Sequence, residues 1–123
     1  MKNLITRRVL KTTRYSINGL MAAWKSEEAF RIEVVLLVVL FPIAFAIGKS
    51  VIEICLLLMS LSIVLIVELL NTGLEKAIDR ISMDVNDISG FVKDVGSAAV
   101  ALSILQAVII WALILFNHYL NLF

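Results

Sequence analysis

The chain has 123 residues, 61% of them hydrophobic and 17% charged, with a formal net charge of +1. Soluble domains run nearer roughly 45–50% apolar and about 25% charged, and a chain this short leaves much of its surface exposed, so lipid must cover part of it. The near-neutral balance excludes a nucleic-acid protein defined by bulk basicity, and one cysteine with one histidine excludes a disulfide framework and a His/Cys metal cluster.

In chain order, residues 1–25 predict an amphipathic helix. At about 100° per residue, Ile5, Val9, Ile17, Leu20, Met21 and Trp24 share one broad side, with Arg7, Lys11, Arg14, Asn18 and Lys25 opposite. Such a helix lies in the membrane interface; packing on a soluble partner is the alternative. Three uncharged runs follow: fifteen residues from Val34 to Gly48, fourteen from Ile54 to Val67 and twenty-two from Val95 to Phe116. A hydrocarbon core of about 30 Å needs about 20 helical residues. The third run therefore spans alone, and the first two must draw charged neighbours towards the membrane. Transmembrane helices are predicted over about 29–48, 52–83 and 90–118, with Pro42 kinking the first, in one all-α membrane unit covering 1–123. A crossing begun at Ile54 ends near Leu74 and carries Glu68 and Asn71 to membrane depth, where an ionisable residue is a functional hypothesis by default.

Seven of the eleven basic residues precede the first run, Lys49 lies in the first loop, Lys76, Arg80 and Lys93 in the second, and none follows the third. The positive-inside rule puts the N-terminus and the 76–94 loop in the cytoplasm and the C-terminus outside.

Glu68, Asn71, Glu75 and Asp79 fall at i, i+3, i+7 and i+11, one stripe on one helix running from lipid towards water. For Asp79 a solvated helix face is an equal alternative. Ser26 and Ser89 are candidate helix N-caps, and Glu27 and Glu28 after Ser26 could serve the helix dipole instead of chemistry. The cytoplasmic interface thus collects carboxylates at 27, 68, 75 and 94, the Asn71 amide, Lys93, Arg8 and Arg14. Carboxylates with basic groups and no His or Cys suit a magnesium-bound polyphosphate, since Mg²⁺ takes a few protein oxygens plus phosphate oxygens. The same residues could describe a small oligomeric transporter whose intramembrane Glu68 binds a cation. Gly96, Ala99, Ser103 and Ala107 form a small-residue stripe expected at a helix–helix contact. Cys55 and His118 fall towards the outer side and read as bystanders.

Three blocks carry a specific resemblance. Val67-Glu68-Leu69-Leu70-Asn71 with Glu75 and Asp79-Arg80; Gly19-Leu20, Ala22-Ala23-Trp24, Glu27, Ala29-Phe30-Arg31 and Glu33; and Ser89-Gly90, Lys93-Asp94 and Gly96-Ser97-Ala98-Ala99-Val100 resemble the prokaryotic diacylglycerol kinases at unchanged spacing over nearly the whole chain. The pattern looks closer to the Gram-negative diacylglycerol kinases than to the undecaprenol kinases. It departs from the family at Ile17, Glu28, Gly73 and Asn86. The resemblance implies an interfacial helix plus three transmembrane helices in a homotrimer of the bacterial inner membrane, with composite sites between subunits at the cytoplasmic face. It implies phosphorylation of diacylglycerol to phosphatidic acid by ATP with Mg²⁺. Glu68 would be the catalytic base, and Glu27 and Glu75 the magnesium ligands. Asn71, Asp84, Asn86, Lys93 and Asp94 would hold ATP, closed over by Arg8, Tyr15 and Ser16. Ala29, Phe30, Arg31, Glu33 and Ser97 would border the lipid with Glu68.

Overall fold

The computed structural model describes residues 2–120; residue 1 of the expected first helix and residues 121–123 lie outside the described residues. Four helices follow in order: α1 Lys2–Ser26, α2 Glu28–Ile47, α3 Val51–Ile81 and α4 Asp87–Leu120. The last three are long and apolar enough to cross a membrane. The helix α2 continues through Pro42.

Helix ends are set by local polar chemistry. Glu27 alone breaks the path between α1 and α2, with extended dihedrals (φ −120°, ψ 111°) and no capping bond from its side chain. Arg31 closes this corner from the far side, its Nη1 donating to the carbonyls of Trp24 (2.9 Å) and Lys25 (3.3 Å). Those carbonyls belong to the last turn of α1, which has no helical donor for them. Ser50 caps α3 by accepting from the Glu53 N–H (3.2 Å), and the Glu53 carboxylate reaches back to the Lys49 N–H (2.8 Å). This reciprocal arrangement is close to a capping box. Two sequence expectations change here. The residue before α2 is Glu27 and not Ser26, and α4 is capped by Asn86, whose Oδ1 accepts from the N–H groups of Ile88 (2.9 Å) and Ser89 (3.4 Å). Asn86 sits where the chain first turns helical, three residues ahead of Ser89, and an amide oxygen caps as well as a hydroxyl.

The long helix α3 is central, with α2 on one side and α4 along the other, while α1 meets α2 at the corner. The α3–α4 seam is closed by small residues and a polar clasp. Leu57 and Ser60 on α3 and Gly96, Ser103 and Ala107 on α4 are buried. The Ser60 hydroxyl donates to the Leu57 carbonyl (2.7 Å) and accepts from Trp111 Nε1 (3.1 Å). Gln106 Nε2 donates across the seam to the Ser60 carbonyl (2.8 Å) and within α4 to the Ser103 carbonyl (2.9 Å). Elsewhere large apolar side chains face outward along the three long helices, among them Val38, Met59 and Leu102. Lipid is the solvent that tolerates such a surface.

Of the small-residue stripe, Gly96, Ser103 and Ala107 enter the seam, but Ala99 is exposed. The helical phase of the other three points them at α3 and leaves Ala99 outside the contact. The two alanines should therefore respond differently. Ala107→Leu overpacks the seam, and overpacking typically costs about 1–3 kcal/mol, so it should lower thermal stability in detergent. Ala99→Leu should leave the fold of the single chain intact, so any loss there would report on assembly between chains. Thermal unfolding and gel filtration of both variants in detergent check this.

Candidate active site

Continuity of α3 from Val51 to Ile81 puts Glu68, Asn71, Glu75 and Asp79 on one unbroken helix face. Burial falls along that face. Glu68 is 5% exposed and Thr72 9% exposed, while Asn71, Glu75 and Asp79 are half-buried. Asn71 Nδ2 donates to Glu75 Oε1 (3.4 Å), and its own Oδ1 is buried with no hydrogen-bond partner.

Other helices bring further charge to this face. The Glu27 side chain, free of capping duty, lies 3.8 Å from Lys76 Nζ. The Glu68 carboxylate lies close enough to Glu75 and Glu27 for their charges to interact, and Glu33 does the same with Glu68. Four carboxylates from the α1–α2 corner, α2 and α3 therefore share one electrostatic neighbourhood. Glu33 Oε2 is buried without a partner. Glu33 also stands at the edge of an apolar groove of about 230 Å³ between α2, α3 and α4, walled by Leu36, Leu40, Leu61, Leu65 and Ile104. Further along α3, Lys93 of α4 pairs with Asp79 at 2.8 Å. Asp79 thus has a partner on α4 while its side chain stays partly exposed.

The remaining candidates are placed less closely. Ser16 lines an open cleft of about 800 Å³ between α1 and α3, with Gly19, Ala23, Thr72, Gly73 and Lys76. Tyr15 and Arg8 are exposed on α1. Phe30 is 3% exposed at the start of α2, beside exposed Ala29, and Arg31 is engaged with the α1 carbonyls. Asp94 and Ser97 are exposed on α4, as is Asp84 in the loop before it. The oxygen of Asn86 is engaged in capping, so only its amide nitrogen is left to meet a ligand. Sequence reasoning passed over two residues of the site. Thr72 lies one helical turn beyond Glu68, and Lys76 follows Glu75 directly; the first could have been found by extending the stripe by i+4.

The model of the prokaryotic diacylglycerol kinase family matches residues 14–115. The chain belongs to that family. It is 42% identical over 112 residues to the diacylglycerol kinase of Escherichia coli K12, covering 91% of this chain and 92% of that one. It is 41% identical over 108 residues to the diacylglycerol kinase of Haemophilus influenzae, covering 88% and 92%. It is 41% identical over 109 residues to that of Pseudomonas aeruginosa, covering 89% of each. The matched segment begins within α1, at Arg14, ends within α4, and holds the carboxylate neighbourhood and the clasp.

At the opposite end from this neighbourhood, His118 Nε2 lies 2.9 and 3.1 Å from the two carboxylate oxygens of Glu53. His118 therefore ties the end of α4 to the start of α3, a structural part that its place near the end of the chain did not suggest. His118→Ala should lower the melting temperature in detergent while retaining most of the family's kinase activity. A thermal melt and a turnover assay on the same preparation check both halves.

Proposed function

We propose that the chain transfers the γ-phosphoryl group of ATP to the hydroxyl of diacylglycerol, giving phosphatidic acid and ADP, as a homotrimer at the cytoplasmic face of the bacterial inner membrane. The observation that carries this reading is the graded burial of one carboxylate helix: Glu68 buried, Glu75 half-buried seven residues further on, about 10.5 Å along the axis. A lipid hydroxyl comes from the bilayer and ATP from water, so the reacting groups must meet where such a gradient crosses between them. Measured from Ile54, the first residue past the charged Glu53, a core of about 30 Å takes about 20 helical residues. The inner boundary then falls near Leu74, between Glu68 and Glu75. The uncovered apolar side chains of α1, such as Ile5, Val9 and Leu20, support a place for that helix in the membrane interface.

In this reading Glu68 accepts the hydroxyl proton of diacylglycerol as the oxygen attacks the γ-phosphorus. The new P–O bond forms as the bond to the ADP oxygen breaks. The groove beside Glu33 receives apolar chain. Asn71, Lys93 and Asp94 hold the nucleotide, with Arg8, Tyr15 and Ser16 approaching from α1 and Asp84 and Asn86 from the loop; Ala29, Phe30, Arg31, Glu33 and Ser97 border the lipid. The donor set suits Mg²⁺: Glu27 and Glu75 offer hard carboxylate oxygens, from the α1–α2 corner and from α3. Among the described residues no three acidic, His or Cys side chains gather as a metal group. When bound, Mg²⁺ supplies neutralisation of phosphate charge. Lys76 and Lys93 add positive charge on either side of the cluster.

The test is a mixed-micelle assay with Mg-ATP, offering diacylglycerol and undecaprenol in parallel. Phosphate transfer that depends on diacylglycerol supports the proposal. Preference for undecaprenol would reassign the acceptor, and failure to phosphorylate either lipid would favour the cation-coupled transporter.

A further inference from the structure

We propose that Gly96 is a positioning residue for phosphoryl transfer: the bare backbone of α4 at Gly96 is the seat for the Asn71 side chain, and this seat aims the Asn71 amide at Glu75. The inference rests on the reading above, in which Asn71 holds nucleotide beside Glu75.

A glycine inside a helix costs stability relative to alanine, because the unfolded chain loses more freedom and no side chain is gained. Gly96 lies well inside the 34-residue α4 and is buried against α3. Its surroundings differ from those of the other helical glycines. A methyl group built at Gly19, Gly73 or Gly90 would meet nothing within 4 Å. At Gly96 it would overlap the side-chain oxygen of Asn71 and come within 3.3 Å of Asn71 Cγ. The Asn71 oxygen therefore occupies the volume that a side chain at position 96 would fill. That oxygen is buried without a partner, and the other end of the same amide donates to Glu75 Oε1 at 3.4 Å. The amide is held by shape on one side and by a single long hydrogen bond on the other. The space left at Gly96 thus admits the Asn71 rotamer whose amide reaches Glu75.

The clash would fall on the movable end of a side chain and on no backbone atom. An alanine at 96 can be accommodated if Asn71 turns to another staggered rotamer, which swings its amide away from Glu75. The fold then survives while the site loses its alignment. Misplacement of a positioning group by about 1 Å can cost on the order of 10²-fold in rate.

The experiment uses the full-length protein in mixed micelles and a double-mutant cycle of Gly96→Ala and Asn71→Ala. Each member is read by kcat and KM for ATP, KM for diacylglycerol, equilibrium Mg-ATP binding and the thermal melt. Gly96→Ala should fold with an unchanged or raised melting temperature and lose about 10²-fold in kcat/KM for ATP, with KM for diacylglycerol altered less than about twofold. In the Asn71→Ala background it should cost nothing further, because no side chain remains to displace. Additive losses, ATP parameters within about twofold of the parent, or failure of Gly96→Ala to fold would each overturn the inference. If Asn71→Ala impairs nucleotide handling but Gly96→Ala does not, only the seating role fails. If Asn71→Ala leaves nucleotide handling intact, the role given to Asn71 fails with it.

Discussion

Glu68→Gln should lower kcat by about 10²- to 10⁴-fold, the usual contribution of a positioned general base, while leaving Mg-ATP affinity nearly unchanged. Glutamine keeps the shape and the hydrogen-bonding oxygen of the side chain but cannot take a proton from the acceptor hydroxyl. The buried position of Glu68 makes this substitution informative, because a solvent water could not easily enter to replace the carboxylate. Turnover with diacylglycerol, followed alongside equilibrium nucleotide binding, checks both parts. Near-normal turnover, or recovery with added magnesium, would remove Glu68 from the role of base.

Glu75→Gln should show the opposite profile. The amide oxygen of glutamine can still accept from Asn71, so local geometry is retained while one negative charge is lost. Apparent affinity for magnesium and ATP should fall at least about tenfold, since even the outer partners of metal ligands commonly cost 10- to 100-fold when removed. Raising magnesium should restore much of the rate. A titration of activity against magnesium at fixed ATP reads this directly. Loss of kcat without any shift in the magnesium curve would show that Glu75 is no ligand.

How much of this was legible beforehand differs by the kind of force involved. The three apolar helices and the face shared by Glu68, Asn71 and Glu75 could be read because both depend on local periodicity, which the chain carries in its own order. The burial of Glu68 followed from its apolar neighbours. The clasp of Ser60, Gln106 and Trp111 could not be read, because it depends on the vertical offset between α3 and α4. Residues 46 and 51 apart meet there only after the helices have docked. The same limit hid the exposure of Ala99, whose spacing fits the seam but whose phase does not. Asn86 was passed over as a cap because Ser89 offered an equally good hydroxyl, and only the backbone path decides between them. The approach of Glu33 to Glu68 was hidden for the same reason, since two carboxylates on different helices carry no sequence signal for each other.

The clasp also bears on bilayer thickness. Ser60 lies eight residues before Glu68, about 12 Å along α3, and its bonds to α4 forbid the two helices to slide past one another. A membrane thinner than the apolar length of the pair can then be met by tilting both helices together, and a thicker one by local thinning of the bilayer, but neither by sliding one helix along the other. Tilting a linked pair changes the angle of α3 and α4 to the membrane normal but not the relative height of the groups they carry. Glu68 on one helix and Lys93 and Asp94 on the other would keep their mutual offset in membranes of different lipid composition.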